Sequence, residues 1–262
     1  MRLDMNPIYN ADIYDATVPK SFWGDLDWYR RKARESGGPV LELGAGTGRI
    51  ALKLAEDGVA VHALDCDRDM LAALQRKAAA SPQVHDRIEV VEGDMRTFEL
   101  LERFALIIAP FRTLLHNLTE DDHLATFRRV RAHLRPQGRF AFNVFHPSLE
   151  FMSQHTGSLA GVWRWASTSE NGDGTTLVRS DAIRYDTVHR RLHSLLRYEE
   201  YTPDGTLART FLHRLELSYL YPSDIRRLLG EAGFRSVEIY GGFDERPFAK
   251  DTDELVVVAA CE

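Results

Sequence analysis

With 262 residues and 44% hydrophobic content, the chain has material for one large domain or one and a half, with a substantial core. Its net charge of -6, from 33 basic and 39 acidic residues, speaks against a nucleic-acid partner, and no apolar run is long enough to span a membrane. Two cysteines, Cys66 and Cys261, make no disulfide framework, and the polar opening Met1–Pro7 lacks an apolar signal core, so a cytoplasmic protein is expected.

Taken in order, Ile8–Asp15 reads as a lid segment leading into a helix over Ser21–Arg34 with Phe22, Leu26, Tyr29 and Ala33 on its apolar face. Gly37-Gly38 ends that helix. Val40, Leu41 and Leu43 then make a short buried strand, and Gly44, Gly46 and Gly48 follow at once. Ile50, Ala51, Leu54 and Ala55 recur at helical spacing, so the order is strand, glycine turn, helix. Glycines suit a backbone that turns sharply and lets a ligand come close, where a Cβ would block both. The helix start adds unpaired N–H groups for polar ligand atoms. The next strand, Val59–Leu64, ends at Asp65, about twenty residues on, where nucleotide-binding sheets place an acid for ribose hydroxyls. A helix from Asp67 to Ala80 carries Met70, Leu71, Leu74 and Ala78 on one face, has Asp67 as N-cap, and stops at Ser81-Pro82. A third strand, Ile88–Val91, precedes Glu92-Gly93-Asp94-Met95.

In these stretches, LELGAGTGR (41–49), ALDCD (63–67) and GDM (93–95), the sequence resembles the class I S-adenosylmethionine-dependent methyltransferases. The glycine spacing is G-x-G-x-G, not the G-x-G-x-x-G of dinucleotide folds. The resemblance covers nearly the whole chain and implies S-adenosyl-L-methionine as cofactor and no metal. It implies Gly44, Ala45 and Gly46 along the methionine part, Asp65 on the ribose, Asp94 and Met95 about the adenine, and Cys66 and Pro110 as further cofactor contacts. A Tyr-Asp pair is frequent in the lid of that family. Tyr14-Asp15 matches it and places Tyr14 near the cofactor's carboxylate and the substrate; a tyrosine that only packs the helix onto the sheet is the alternative.

The fourth strand is Phe104–Ala109, followed by Pro110–Asn117, the loop where in the family substrate meets the methyl group. A helix over Glu120–Leu134 carries Leu124, Phe127, Val130 and Leu134. Arg135–Gly138 breaks the chain before the fifth strand, Arg139–Phe145, and Leu-Arg-Pro-x-Gly there is a further family resemblance. From Leu149 to Tyr219 the helical period vanishes. Val162–Trp165, Leu177–Tyr185, Leu192–Tyr201 and Leu207–Leu217 alternate polar and apolar side chains, with turns at Asn171–Gly174 and Thr202–Gly205. His189 and His193 would pair on a helix but not on a strand, so no metal site is expected there. The helical pattern returns at Pro222–Ala232, Gly233 stops it, and Ser236–Tyr240 and Leu255–Ala260 are the last strands.

The expected fold is α/β: a doubly wound, seven-stranded Rossmann-like methyltransferase sheet with an inserted antiparallel β-sheet. Residues 1–148 and 220–262 form the cofactor-binding domain, with 1–37 as lid and helix, and 149–219 form the insertion, which the resemblance makes a substrate cap. Methyl transfer from a sulfonium is an in-line displacement, so the protein has chiefly to align the partners and exclude water. The acceptor needs a lone pair. His116 after strand four and His146 after strand five, with Tyr14, are the candidate catalytic residues; a loop histidine bonded to backbone is the plainer reading of either. The expected function is methyl transfer to N or O of a small molecule by a monomer or homodimer, with no nucleic-acid or membrane partner. A macromolecular or peptide acceptor, a non-catalytic cofactor-binding protein and an NAD-dependent oxidoreductase are the alternatives, the last disfavoured by glycine spacing and the closing hairpin.

Overall fold

The computed structural model describes residues 10–18, 20–170 and 173–261. Ile8 and Tyr9 of the predicted lid, and Asn171-Gly172 of one predicted turn, lie outside the described residues. The chain divides into two compact units. One holds the first helix together with Ser148–Ser218; the other holds the remainder.

The predicted lid segment contains a helix, α1 (Ala11–Thr17), whose N-cap Asn10 accepts the N–H groups of Asp12 and Ile13. The next helix, α2 (Asp25–Ser36), begins four residues later than its apolar period suggests. Trp23 (φ 51°) and Gly24 (φ 87°) take left-handed angles, and Asp25 instead accepts the Phe22 N–H at 2.7 Å. Then come β1 (Val40–Leu43), α3 (Ala51–Glu56), β2 (Val61–Asp65) and α4 (Arg68–Ala79), capped by Asp67 as expected. Gly48 lies where a Cβ would come within 2.2 Å of Leu74 on α4, so this glycine lets the turn and α4 approach. Ser81-Pro82 does not simply stop the chain but starts a single turn, α5 (Pro82–His85), with proline at its first position. β3 (Ile88–Glu92), β4 (Phe104–Ala109) and α6 (Glu120–His133) follow, the last opened by a Thr119–Asp122 capping box.

β5 (Leu134–Phe145) corrects the expected break at Arg135–Gly138. Strand structure runs through those residues, and the irregularity appears as a register shift between Phe104 and Leu106 and a left-handed Gln137. After the insertion come α8 (Pro222–Glu231), β10 (Ser236–Tyr240) and β11 (Glu254–Ala260). Among the described residues the larger sheet has seven strands in the order β10-β11-β5-β4-β1-β2-β3. β11 runs antiparallel to both neighbours and the remaining pairs are parallel. Strand order reverses between β1 and β4, and the carboxyl ends gathered there form the edge at which such sheets take ligands. β1, β4 and β11 are almost wholly buried, as expected for strands covered on both faces.

Besides α1, the smaller unit holds α7 (Leu149–Ser153), β6 (Trp163–Glu170), β7 (Thr176–Asp186), β8 (Arg191–Tyr201) and β9 (Leu207–Ser218). The four strands form an antiparallel sheet in chain order, with no helix in 176–217. At five residues, α7 is too short to show a period. Along β8, Leu192, Ser194, Leu196 and Tyr198 are buried in alternation, and Ile13 of α1 packs on Leu177, Leu196 and Tyr198. Among the described residues no helix is long and apolar enough to cross a membrane, and no His/Cys/Asp/Glu group is arranged to hold a metal ion.

Candidate active site

The turn after β1 is tied to β2 by two bonds. Ala45 N–H donates to the Leu64 carbonyl at 3.0 Å and Gly46 N–H to Asp65 Oδ2 at 2.8 Å. Asp65, last residue of β2, also accepts the Asp67 N–H on Oδ1 at 2.9 Å. Burial pushes its carboxyl up, while the Asp67 and Gly46 N–H groups pull it down. Gly44 (φ 65°) needs glycine twice over, because a Cβ there would lie 2.3 Å from Thr113 Cγ2. The turn after β1 and the loop after β4 therefore touch.

Glu42, inside β1, has its carboxyl pushed up to about 8 by burial, against the pull of Arg49 and of the Ala51 N–H. Its Oε2 is buried with no partner among the described residues. Asp94 follows β3 and is held by Arg96, whose Nη2 lies 2.6 Å from Oδ2, which keeps the carboxyl below its ordinary range. Met95 is half-buried beside it. Cys66 is exposed, and partial burial of the thiol together with Asp65 and Asp94 pushes its pKa up. Pro110 closes β4, buried, and its carbonyl accepts both the N–H and the hydroxyl of Thr113. Tyr14 is half-buried on α1, in the smaller unit.

The two candidate histidines differ. His116 ends a single 3-10 turn, Thr113–His116, and burial drops its imidazole to about 4, so the ring is neutral near pH 7 and a weak proton acceptor. His146, directly after β5, is half-buried against Tyr221 and Phe248, with Nδ1 3.0 Å from the Asp251 carbonyl. A carbonyl can only accept, so Nδ1 carries the proton and Nε2 is the acceptor of the neutral ring.

Sequence reasoning missed several groups here. Asp25, fully buried, takes Arg49 in a two-point ion pair at 2.6 and 3.1 Å, and Arg49 also lies over the Phe111 ring. Asn143, Glu254, Tyr29 and Arg112 form a buried polar network beside the post-β4 loop. A signal did exist: Asn143 is the polar residue in Phe-Ala-Phe-Asn-Val-Phe, and Glu254 opens the apolar run Leu-Val-Val-Val. Both break a strand pattern that is otherwise apolar.

At one sheet edge, then, lie a glycine cradle that side chains would fill, a buried carboxyl oxygen able to accept from a donor, and an acid at the end of β2. That set fits a ligand with a cationic amine and a vicinal diol.

A family model described as a methyltransferase domain matches residues 40–138. The chain is similar to the CcbJ methyltransferase from Streptomyces caelestis, with 28% identity and a TM-score of 0.76 over 95% of each chain. It is 25% identical to a cypemycin N-terminal methyltransferase from a Streptomyces species, over 90% of this chain and 88% of that one. The fold is also that of the sugar N-methyltransferase KedS8 from a Streptoalloteichus species, at 21% identity, a TM-score of 0.70 and 99% coverage of both chains.

Proposed function

The chain is a class I S-adenosylmethionine-dependent methyltransferase, and from that premise we propose that it methylates the amino nitrogen of a small molecule. S-adenosylmethionine supplies a methyl group on a sulfonium whose departure needs no proton. In this reading Asp65 accepts the ribose hydroxyls, the turn Gly44–Gly46 lines the methionine part, and the Glu42 carboxyl faces its polar end. Asp94, Met95 and Cys66 frame the adenine, with Asp94 sharing its oxygens with Arg96, while Pro110 completes the cofactor contacts. The larger unit is thus the cofactor domain, and acceptor choice is assigned to the inserted strands of 149–219.

The single observation that carries nitrogen over oxygen is the state of His116. A ring lowered to about 4 is a weak base for the proton of an alcohol at neutral pH, whereas an amine needs no base once it arrives neutral. His116 and the Nε2 of His146 then orient the acceptor, which is most of what this displacement requires. The name of one similar protein, cypemycin N-terminal methyltransferase, supports a second reading, a peptide α-amine as acceptor.

The test is incubation with methyl-labelled S-adenosylmethionine and matched panels of amino sugars, other small amines, their hydroxyl analogues and short peptides. Label on the nitrogen of a small amine is expected. Label only on hydroxyl analogues would overturn the nitrogen assignment, and label only on peptides would shift the reading to the second.

A further inference from the structure

Two bulky residues in succession, Phe111 and Arg112, hold left-handed backbone angles (φ 53° and 66°) immediately after β4 and Pro110. Neither is a residue that adopts this region readily, so the surroundings must hold the corner in place. Two side chains from the neighbouring strands do so. In the antiparallel register of β5 and β11, Asn143 faces Val256 and Glu254 faces Phe145, which puts Asn143 and Glu254 diagonally on one face. Asn143 Oδ1 accepts the Phe111 N–H at 2.9 Å and the Tyr29 hydroxyl at 3.0 Å, and its Nδ2 donates to Glu254 Oε1 at 2.7 Å. Glu254 accepts Arg112 Nε at 3.1 Å and Nη2 at 2.7 Å. The rings of Phe22, Phe145 and Trp23 surround the same guanidinium at 5.0, 5.3 and 5.9 Å. The first strained residue is thus gripped by its backbone and the second by its side chain. Both grips end on Asn143 and Glu254, which are almost wholly buried.

We infer that Asn143 and Glu254 are positioning residues for methyl transfer, which hold the Phe111–Arg112 corner so that the loop after β4 stays aligned with the glycine turn. The inference rests on the reading that acceptor and methyl group meet beside this loop. The corner sets Thr113 against Gly44, where there is no room for even a Cβ, and the following turn carries His116. A loop released by about an ångström would spoil the line from nucleophile to carbon without removing any group that binds the cofactor.

Asn143→Ala is expected to speed amide exchange of the 110–116 segment at least tenfold, read by hydrogen–deuterium exchange without acceptor. It should cut kcat at least tenfold while the Kd for S-adenosylmethionine stays within threefold. Glu254→Gln, which keeps one acceptor oxygen, should lose less turnover than Glu254→Ala. A strain-specific comparison separates positioning from packing. In the Asn143→Ala background, Phe111→Gly and Phe111→Ala both lose the ring, but only glycine takes φ 53° freely. The glycine form should turn over at least fivefold faster. Equal rates for the two, or an Asn143→Ala protein that binds cofactor and keeps full kcat, would overturn the inference. If Asn143→Ala fails to fold, the Glu254→Gln and Glu254→Ala pair gives the same reading, with equal turnover as the refuting result. Wild-type silence toward every acceptor would count against the proposed function, whereas the exchange result, which needs no acceptor, bears on the corner alone.

Discussion

Glu42→Gln should change how stability depends on pH, with the sign set by burial. The Glu42 carboxyl rises from 4.5 to about 8 in the folded protein. Below the lower value both states are protonated and nothing is lost. Between the two values the unfolded chain ionises while the folded chain keeps its proton, so stability falls as pH rises, and the loss is complete above about 8. A tenfold change in proton affinity corresponds to about 1.4 kcal/mol, which makes the full loss at most about 5 kcal/mol. Glutamine has the same shape and no proton to lose. Urea unfolding of the protein without cofactor, wild type against Glu42→Gln, from about pH 5 to 9, isolates this group because the other titrations cancel. The variant should gain on the wild type as pH rises, at up to about 1.4 kcal/mol for each tenfold fall in proton concentration. A difference that stays constant with pH would refute the assignment of a protonated, buried Glu42.

Other expected outcomes follow from the same geometry. Asp65→Ala should weaken S-adenosylmethionine binding by about 1–3 kcal/mol in calorimetry, the loss of charge-assisted bonds to the ribose; an unchanged Kd in a folded protein removes Asp65 from the site. Gly44→Ala should lower the urea midpoint clearly, because its methyl meets Thr113 as well as an unfavourable φ, by about 1–3 kcal/mol more than Gly24→Ala, where no atom lies within 4 Å of the added Cβ. Similar losses at the two glycines would contradict the contact. His116→Ala and His146→Ala should each cut turnover while leaving cofactor affinity near wild type. For His116 the loss should be flat above about pH 6, because the ring is already neutral there, and a loss that shrinks with rising pH would instead indicate base catalysis.

Much of this architecture is legible in residue order. The inserted strands declare themselves because one face is buried and a period of two must follow, and the ends of the last three fall within one residue of the alternating runs Leu177–Tyr185, Leu192–Tyr201 and Leu207–Leu217. The glycine turn and Asp65 are readable because their chemistry is local. What escapes is either short or long-range. α1 runs seven residues with none fully buried, so it offers no period, although Asn10 at its start is a cap in plain view. The irregularity in β5 depends on pairing with Phe104, and composition alone turns Arg135–Gly138 into a break. The Asn143–Glu254 pair unites residues 111 positions apart, so only strand order brings them together. The fate of Glu42 is similar: a carboxyl in a four-residue strand looks ordinary until burial by the flanking helices and strands keeps its proton on.

A calorimetric titration of the wild-type chain against S-adenosylmethionine and against NAD tests whether the glycine turn and Asp65 serve S-adenosylmethionine. One saturable site for S-adenosylmethionine, no heat with NAD, and weakening of that site by Asp65→Ala are the expected results. Saturable binding of NAD with none of S-adenosylmethionine would remove the glycine turn and Asp65 from any S-adenosylmethionine site.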